Sequence, residues 1–142
     1  MRLRVRSKRW SARANYTHLD GKIRESDQRS FPNRPGDPLL RRPRHSGDIG
    51  LTWFGKKWTG SWATVFVGQR ADSDFFTFSR PLTSNPRYTV SNVALTYAVS
   101  RMLSFFLRGE NLFDRNYQEV LGYQALGRGA VAGAKFHLGG ER

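Results

Sequence analysis

Apolar and polar residues alternate with a period of two along nearly the whole chain, and no segment holds a helical period of 3.6 for more than a turn or two. Successive side chains of a strand point to opposite faces, so this pattern predicts an all-β protein. A first strand is expected from Trp10 to Leu19, with Trp10, Ala12, Ala14 and Tyr16 on one face and Ser11, Arg13, Asn15 and Thr17 on the other. A second, from about Arg44 to Trp53, sets Gly47, Ile49, Leu51 and Trp53 against Ser46, Asp48, Gly50 and Thr52. The third, Trp58 to Gln69, opposes Trp62, Thr64 and Phe66 to Ser61, Ala63 and Val65, a weaker contrast. From Tyr88 to Val99 the fourth shows Val93, Leu95, Tyr97 and Val99 in front of Asn92, Ala94, Thr96 and Ala98. The fifth, Met102 to Phe113, places Leu103, Phe105 and Leu107 opposite Ser104, Phe106, Arg108 and Glu110. In the sixth, Gly129 to Leu138, Ala130, Ala132, Ala134, Phe136 and Leu138 alternate with Val131, Gly133, Lys135 and His137.

The connections carry a second regularity. They run long (Asp20 to Pro43), short (Phe54 to Lys57), long (Arg70 to Arg87), short (Ser100 and Arg101) and long (Asp114 to Arg128). Strict alternation of this kind is the plan of an antiparallel up-and-down meander in an outer-membrane barrel, with tight turns on the periplasmic side and long loops outside. Strands of about 10–12 residues match what a tilted strand needs to cross hydrocarbon. On this plan the apolar face meets lipid and the polar face the lumen. Trp10, Tyr16, Ile49, Leu51, Trp53, Trp62, Phe66, Val93, Leu95, Tyr97, Leu103, Phe105, Leu107, Phe136 and Leu138 are then expected to face lipid, and Arg13, Asp48, Arg108, Glu110 and Lys135 the lumen. Trp10, Tyr16, Trp53, Trp58, Tyr88 and Tyr97 fall near strand ends, where an aromatic girdle sits. The competing reading packs these aromatics into the core of a soluble one-sided sheet. Six strands fall short of the eight needed for closure, so the chain is expected to be a curved open section of a larger barrel.

Charge changes the picture next. Lys and Arg number 24 against 11 Asp and Glu among 142 residues, a net charge of +13. Such a balance suits either nucleic acid or anionic lipid and lipopolysaccharide. Arg41, Arg42 and Arg44 cluster beside Arg34, and six basic residues with no acid stand between Arg2 and Arg13. On a soluble sheet with exposed aromatics they would suit single-stranded nucleic acid; on a barrel they would sit against lipid phosphates, with Arg13, Arg108 and Lys135 paired to Asp48 and Glu110. An aromatic content of 13% argues against disorder. The longest uncharged run, the 13 residues Tyr88 to Ser100, is too short and too polar for a transmembrane helix. Met1 to Arg9 lacks the apolar stretch of an export leader and is expected to end a preceding strand or turn. The four residues after Leu138 read as a polar tail.

Little in the chain suggests chemistry. There is no cysteine, hence no disulfide, thiolate metal site or thiol nucleophile. His18, His45 and His137 stand far apart in sequence without a ligand motif and read as polar strand or girdle residues. No G-x-S-x-G elbow is present, and the glycines from Gly127 to Gly133 lie within a strand pattern rather than a phosphate loop. Asn15-Tyr16-Thr17 matches a glycosylation sequon in mid-strand. No catalytic residue, metal or cofactor is expected.

One stretch is more specific. Glu110-Asn111-Leu112-Phe113-Asp114-Arg115-Asn116-Tyr117-Gln118-Glu119 resembles the closing signature of TonB-dependent outer-membrane receptors, in which E-N-L-F-D-x-x-Y ends the penultimate strand. Gly122-Tyr123 and Gly127-Arg128 fall at the family's spacing in the loop before the last strand. Ala14 to Asp20, Leu40 to His45 and Phe66 to Arg70 are also similar to elements of this family's barrel, particularly its cobalamin and siderophore branch. The resemblance implies a C-terminal portion, residues 10–138, of a 22-stranded barrel that takes up a scarce chelate such as a ferric siderophore or cobalamin. Its partners would be the plug and the N-terminal strands of the same receptor, the TonB energy-coupling complex acting through that plug, and the outer membrane with its lipopolysaccharide. The barrel-assembly machinery would read the end of the last strand, where Phe136 and Leu138 stand and where the family usually has a terminal aromatic. Two further readings stay open at the level of sequence: a small soluble basic β-protein that binds single-stranded nucleic acid, and a small protein whose copies pool strands into one barrel.

Overall fold

The computed structural model describes residues 1–25, 34–74 and 82–137. Its strands are β1 (Arg2–Arg6), β2 (Trp10–His18), β3 (His45–Phe54), β4 (Trp58–Val67), β5 (Arg70–Ser73), β6 (Leu82–Asn85), β7 (Tyr88–Ala98), β8 (Leu103–Glu110), β9 (Gln118–Val120), β10 (Tyr123–Gln124) and β11 (Gly129–Phe136). Seven of them form one antiparallel sheet in the order β1-β2-β3-β4-β7-β8-β11, an open meander in which each strand pairs with the next one the chain supplies. The six predicted strands are all there. A seventh, β1, adds to them: Arg2–Arg6 pairs fully with β2, from Arg2 opposite Asn15 to Arg6 opposite Ser11. The remaining four strands make two small hairpins, β5 with β6 and β9 with β10, which rise from two of the long connections. Their segments are too short for a period-two pattern to reveal.

Register fixes which side chains share a face, because directly opposed residues point the same way. Trp10 opposes Trp53, Ala12 opposes Leu51 and Ala14 opposes Ile49. Leu51 in turn opposes Trp62, Trp62 opposes Val93 and Leu95 opposes Leu107. Leu107 opposes Ala132, and Leu103 opposes Phe136. Leu3 and Val5 of β1 join the same face across from Ala14 and Ala12. The opposite face carries Arg2, Arg4, Arg6, Arg13, Asp48, Phe106, Arg108, Glu110 and Lys135. Thus every residue expected on the lipid side, save Leu138, which lies outside the described residues, shares one face, and the five expected on the lumen side share the other.

This sheet has almost no apolar interior. Among the described residues Val90 is the only buried hydrophobic side chain, whereas Trp10, Ile49, Leu51, Trp62, Leu95, Phe105 and Leu107 are all exposed. The fully buried side chains are polar: Asp72, Ser73 and Asn85. A soluble sheet would show the reverse, so the reading in which the aromatics pack a core does not hold.

Close strand approach depends on Gly47. A Cβ there would collide with the Asn15 carbonyl oxygen and stand 2.6 Å from the Phe66 ring. The expected effect of Gly47→Ala is loosening of the β2-β3-β4 ladder by about 1–3 kcal/mol, the usual penalty of forcing extra atoms into a packed site. Urea unfolding of the chain in detergent micelles, followed by tryptophan fluorescence, measures it; an unchanged midpoint would mean that Phe66 swings aside without penalty.

Candidate functional site at the long-loop end

The three long connections leave the same end of the sheet, after β2, β4 and β8, and a single carboxylate ties them together. On β5 the residues alternate so that Arg70 and Asp72 project to one side. Asp72 is fully buried. Its Oδ1 accepts from Arg41 Nε of the first connection at 3.1 Å and from its neighbour Ser73 N at 2.9 Å. Its Oδ2 accepts from Leu121 N of the third connection at 3.0 Å. Arg41 is brought there by a left-handed backbone, φ 58°, and its own N–H donates to the Ala71 carbonyl at 2.7 Å. Burial works to raise the Asp72 pKa, but the Leu121 and Ser73 N–H groups and the Arg41 guanidinium outweigh it and hold the carboxyl below the ordinary 3.8.

Arg70 reinforces the same junction. Its Nη2 donates to the Gln118 and Glu119 carbonyls at 2.6 and 2.8 Å, and its guanidinium lies 5.4 Å from the centre of the Tyr88 ring. Tyr88 stacks on Tyr117 at 4.4 Å. Tyr88 therefore does not belong to an aromatic girdle, contrary to the sequence expectation. It opposes Val67 in register and so faces away from the tryptophans, under the third connection. Tyr117 has its phenol pKa raised, by burial first and then by Glu119 and Glu110.

The signature residues form the root of that third connection. Asn111 takes a left-handed conformation, φ 48°, and ends β8 three residues before the strand predicted to Phe113. Its Nδ2 donates to the Arg115 and Leu126 carbonyls and its Oδ1 accepts from Arg115 N at 2.9 Å, while its own N–H donates to Asn92 Oδ1 at 2.9 Å. Leu112 N donates to the Ser91 carbonyl at 3.0 Å. Asp114, also left-handed at φ 48°, accepts from Arg128 N at 2.8 Å, next to Gly127. Gly122, at φ 86°, closes the β9-β10 turn, its N–H donating to Gln118 Oε1 at 2.9 Å. Tyr123 and Phe113 are exposed. The signature is thus an arrangement of backbone hydrogen bonds rather than of reactive groups.

On the mixed face the expected ion pairs are met in part. Arg13 passes over Gly50 to lie 3.5 Å from Asp48, and Asp48 accepts from Asn15 Nδ2 at 2.9 Å. Arg108 and Lys135, expected to pair with Glu110, instead flank the Phe106 ring at 5.7 and 5.5 Å. Phe106 stands between them on the same face and offers its π cloud to both cations. Between the first and second connections lies a cavity of about 830 Å³ whose charged lining is Lys22, Arg42, Arg44 and Arg70 against the single carboxylate of Asp20, which pairs with Arg44 at 3.0 Å. It is a cationic basin. Among the described residues no group of three or more His, Asp or Glu side chains could hold a metal ion. The histidines were expected far apart, yet His18 and His45 are opposed in register with their Nδ1 atoms 3.4 Å apart. Strand pairing brings together what the sequence separates. Asp72 was not singled out from sequence, Arg41 was read only as part of the cationic cluster and Arg70 only as the end of the Phe66 to Arg70 stretch; the Arg-Ala-Asp alternation at 70–72 was the available signal for the junction.

The family model described as TonB dependent receptor-like, beta-barrel matches residues 2–112. The chain belongs to the TonB-dependent receptor family. Its fold superposes on solved receptors: the siderophore receptor PiuA from Acinetobacter baumannii (TM-score 0.75, 18% identity over 92% of this chain), and the ferric-catecholate import receptor Fiu from E. coli K12 in its closed form (TM-score 0.74, 20% identity over 93%). The ferripyoverdine receptor of the outer membrane of Pseudomonas aeruginosa is similar as well (TM-score 0.69, 17% identity over 92%). The chain spans about a fifth of these receptors, 20%, 19% and 18% of their lengths. It is therefore an open section of a TonB-dependent receptor barrel, a protein of the cell outer membrane and not an enzyme.

Two outcomes follow from the junction. Asp72→Ala strands the Leu121 N–H and frees Arg41, so it is expected to destabilise the loop cluster by about 1–3 kcal/mol, the cost of a buried unsatisfied group. Limited proteolysis would show it as faster nicking in 34–44 and 111–128, with strand content unchanged by circular dichroism. Because the folded carboxyl titrates below its unfolded value of 3.8, its stabilisation is complete above that pH and is lost only as pH falls through the lower folded value. Amide exchange of the Leu121 N–H should stay protected at pH 4 and open under stronger acid, an acid dependence absent from Asp72→Asn.

Proposed function

We propose that this chain forms wall and outer loops of a receptor that imports a scarce metal chelate, a ferric siderophore or cobalamin, across the outer membrane. The observation that carries the reading is the inversion of the sheet: tryptophans and aliphatics exposed on one face, buried polar groups at the long-loop end. In this arrangement Trp10, Tyr16, Ile49, Leu51, Trp53, Trp62, Phe66, Val93, Leu95, Tyr97, Leu103, Phe105, Leu107 and Phe136 meet lipid. Arg13, Asp48, Arg108, Glu110 and Lys135 meet the lumen. Two aromatic belts support it. Trp10 lies 6.5 Å from Trp53 and Trp58 lies 4.4 Å from Tyr97 at the short-turn end, while Tyr16 lies 6.4 Å from Phe66 at the long-loop end. From Trp53 to His45 is eight residues of strand, roughly 26 Å at about 3.3 Å per residue, which at the usual tilt of about 35–45° covers roughly 20 Å of an apolar band about 25 Å tall.

Among the described residues no strand pairs with the outer edges of β1 and β11, which suit pairing with the receptor's other strands, since lipid does not tolerate free backbone polar groups. Those strands enclose a plug through which the TonB energy-coupling complex acts. The assembly machinery reads Phe136, which ends β11, together with Leu138 of the following sequence, and lipopolysaccharide packs on the outer rim. The cationic basin faces incoming ligand and favours an anionic chelate.

All four tryptophans, Trp10, Trp53, Trp58 and Trp62, lie on the face assigned to lipid. Reconstitution in vesicles containing brominated phospholipid is therefore expected to quench most of the tryptophan emission. A chain that remains monomeric without detergent, escapes quenching and binds single-stranded DNA with a steep salt dependence would sink this reading in favour of a nucleic-acid binder.

A further inference from the structure

The first and second strands flanking the first long connection end in a pair of histidines that nothing in the receptor architecture requires. His18 closes β2 and His45 opens β3; they are directly opposed in the ladder, with ring centroids 4.7 Å apart. Both side chains are exposed. Their Nδ1 atoms are 3.4 Å apart. That separation is too long for a good nitrogen hydrogen bond, which closes to about 2.7–3.2 Å. It matches two imidazoles sharing one ion: with metal–nitrogen bonds of about 2.0–2.1 Å at a tetrahedral angle, the two nitrogens stand about 3.3–3.4 Å apart. Tyr16 adds a third polar atom, its hydroxyl 2.7 Å from His45 Nδ1.

We infer that His18 and His45 form a two-histidine site for a borderline divalent transition metal, zinc or copper, that staples the root of the first long loop. Imidazole is the ligand such ions favour. Water completes the coordination shell, and the Tyr16 hydroxyl, displaced from the His45 lone pair, hydrogen-bonds to a metal-bound water. His45 lines the basin with Lys22, Arg42, Arg44 and Arg70; Asp20 offsets Arg44 at 3.0 Å, and the remaining cations work against a further positive ion, so the two imidazoles must outweigh them. Binding cross-links a side-chain pair at the point where the backbone ladder passes on to Leu19 and Arg44, and so reinforces the root of the loop. This inference needs only the β2-β3 register, and it stands or falls independently of what the receptor transports.

Isothermal titration of the chain in detergent micelles with zinc chloride is expected to show one ion bound per chain. His18→Ala and His45→Ala should each weaken it by about 10–100-fold or more, since losing even a supporting partner of a ligand has that effect. His137→Ala, which removes the third histidine, should leave it unchanged. Copper titrated into the same chain should give an electron paramagnetic resonance spectrum with hyperfine coupling to two nitrogens. Because the chain has no cysteine, the variant carrying both His18→Cys and His45→Cys tests the geometry separately: it is expected to form an intramolecular disulfide in the same micelles. A disulfide without zinc binding by the parent chain would overturn the metal site; no disulfide would overturn the juxtaposition on which it rests; zinc binding that survives both histidine-to-alanine changes would assign the ion elsewhere.

Discussion

The rest of the structure depends on one constraint: a sheet that buries almost no apolar surface of its own must be held by its backbone ladder and covered by something other than protein. In a soluble domain the hydrophobic effect compacts the chain, at about 25 cal/mol for each Å² of apolar area withdrawn from water. Here Val90 alone among the described hydrophobic residues is buried, so that term is nearly absent within the chain. Hydrocarbon on the outer face supplies it instead, and in hydrocarbon every backbone N–H and C=O of the strands must find a partner. The uninterrupted meander from β1 to β11 meets this demand strand by strand. The two outer edges do not, which is why such a section fits within a wider barrel.

The loops face water and answer to different physics. There the buried groups are ionic and polar, and their order comes from saturation of hydrogen-bonding capacity rather than from packing. Asp72 accepts three described bonds from three different parts of the chain, and Arg70 reaches two carbonyls and a tyrosine ring. Networks of this kind specify one arrangement strongly because each broken bond leaves a buried group unsatisfied. They hold the three connections to one another and define the basin between the first and second. Asn111 and Asp114 do the same for the third loop, using left-handed backbone to turn out of β8. The stretch Glu110–Glu119, which resembles the family's closing signature, is thus a structural root.

Charge is divided by face and by height. The arginines of β1 join Arg13 on the mixed face, where Arg2 reaches Asn15 at 3.1 Å and Asn15 reaches Asp48, a chain of polar contacts running across three strands. Arg108 and Lys135 spend their charge on an aromatic ring. The excess of cations gathers around the long loops and the mixed face and leaves the central band of the apolar face free of charge. A high net charge that would suit nucleic acid in a soluble protein is here distributed as a membrane protein requires.

The sequence by itself determined the strands, their two faces and the alternation of long and short connections, because side-chain period and turn length are local properties that a single chain displays directly. Trp10, Leu51, Trp62 and Leu107 could be assigned to one face from their spacing alone, and residues 110–119 carried the family likeness as an unbroken run. What the sequence left hidden depends on pairs distant in the chain. Arg41, Asp72 and Leu121 meet only because three loops fold back over one end of the sheet; His18 and His45, 27 residues apart, meet only through the β2-β3 register; and Tyr88, whose face the period of two already records, finds Tyr117 only because the third connection folds over it. Only the tertiary structure decided these, since contacts between loops arise from which side chains satisfy one another's buried charges and donors, and no local period records that choice.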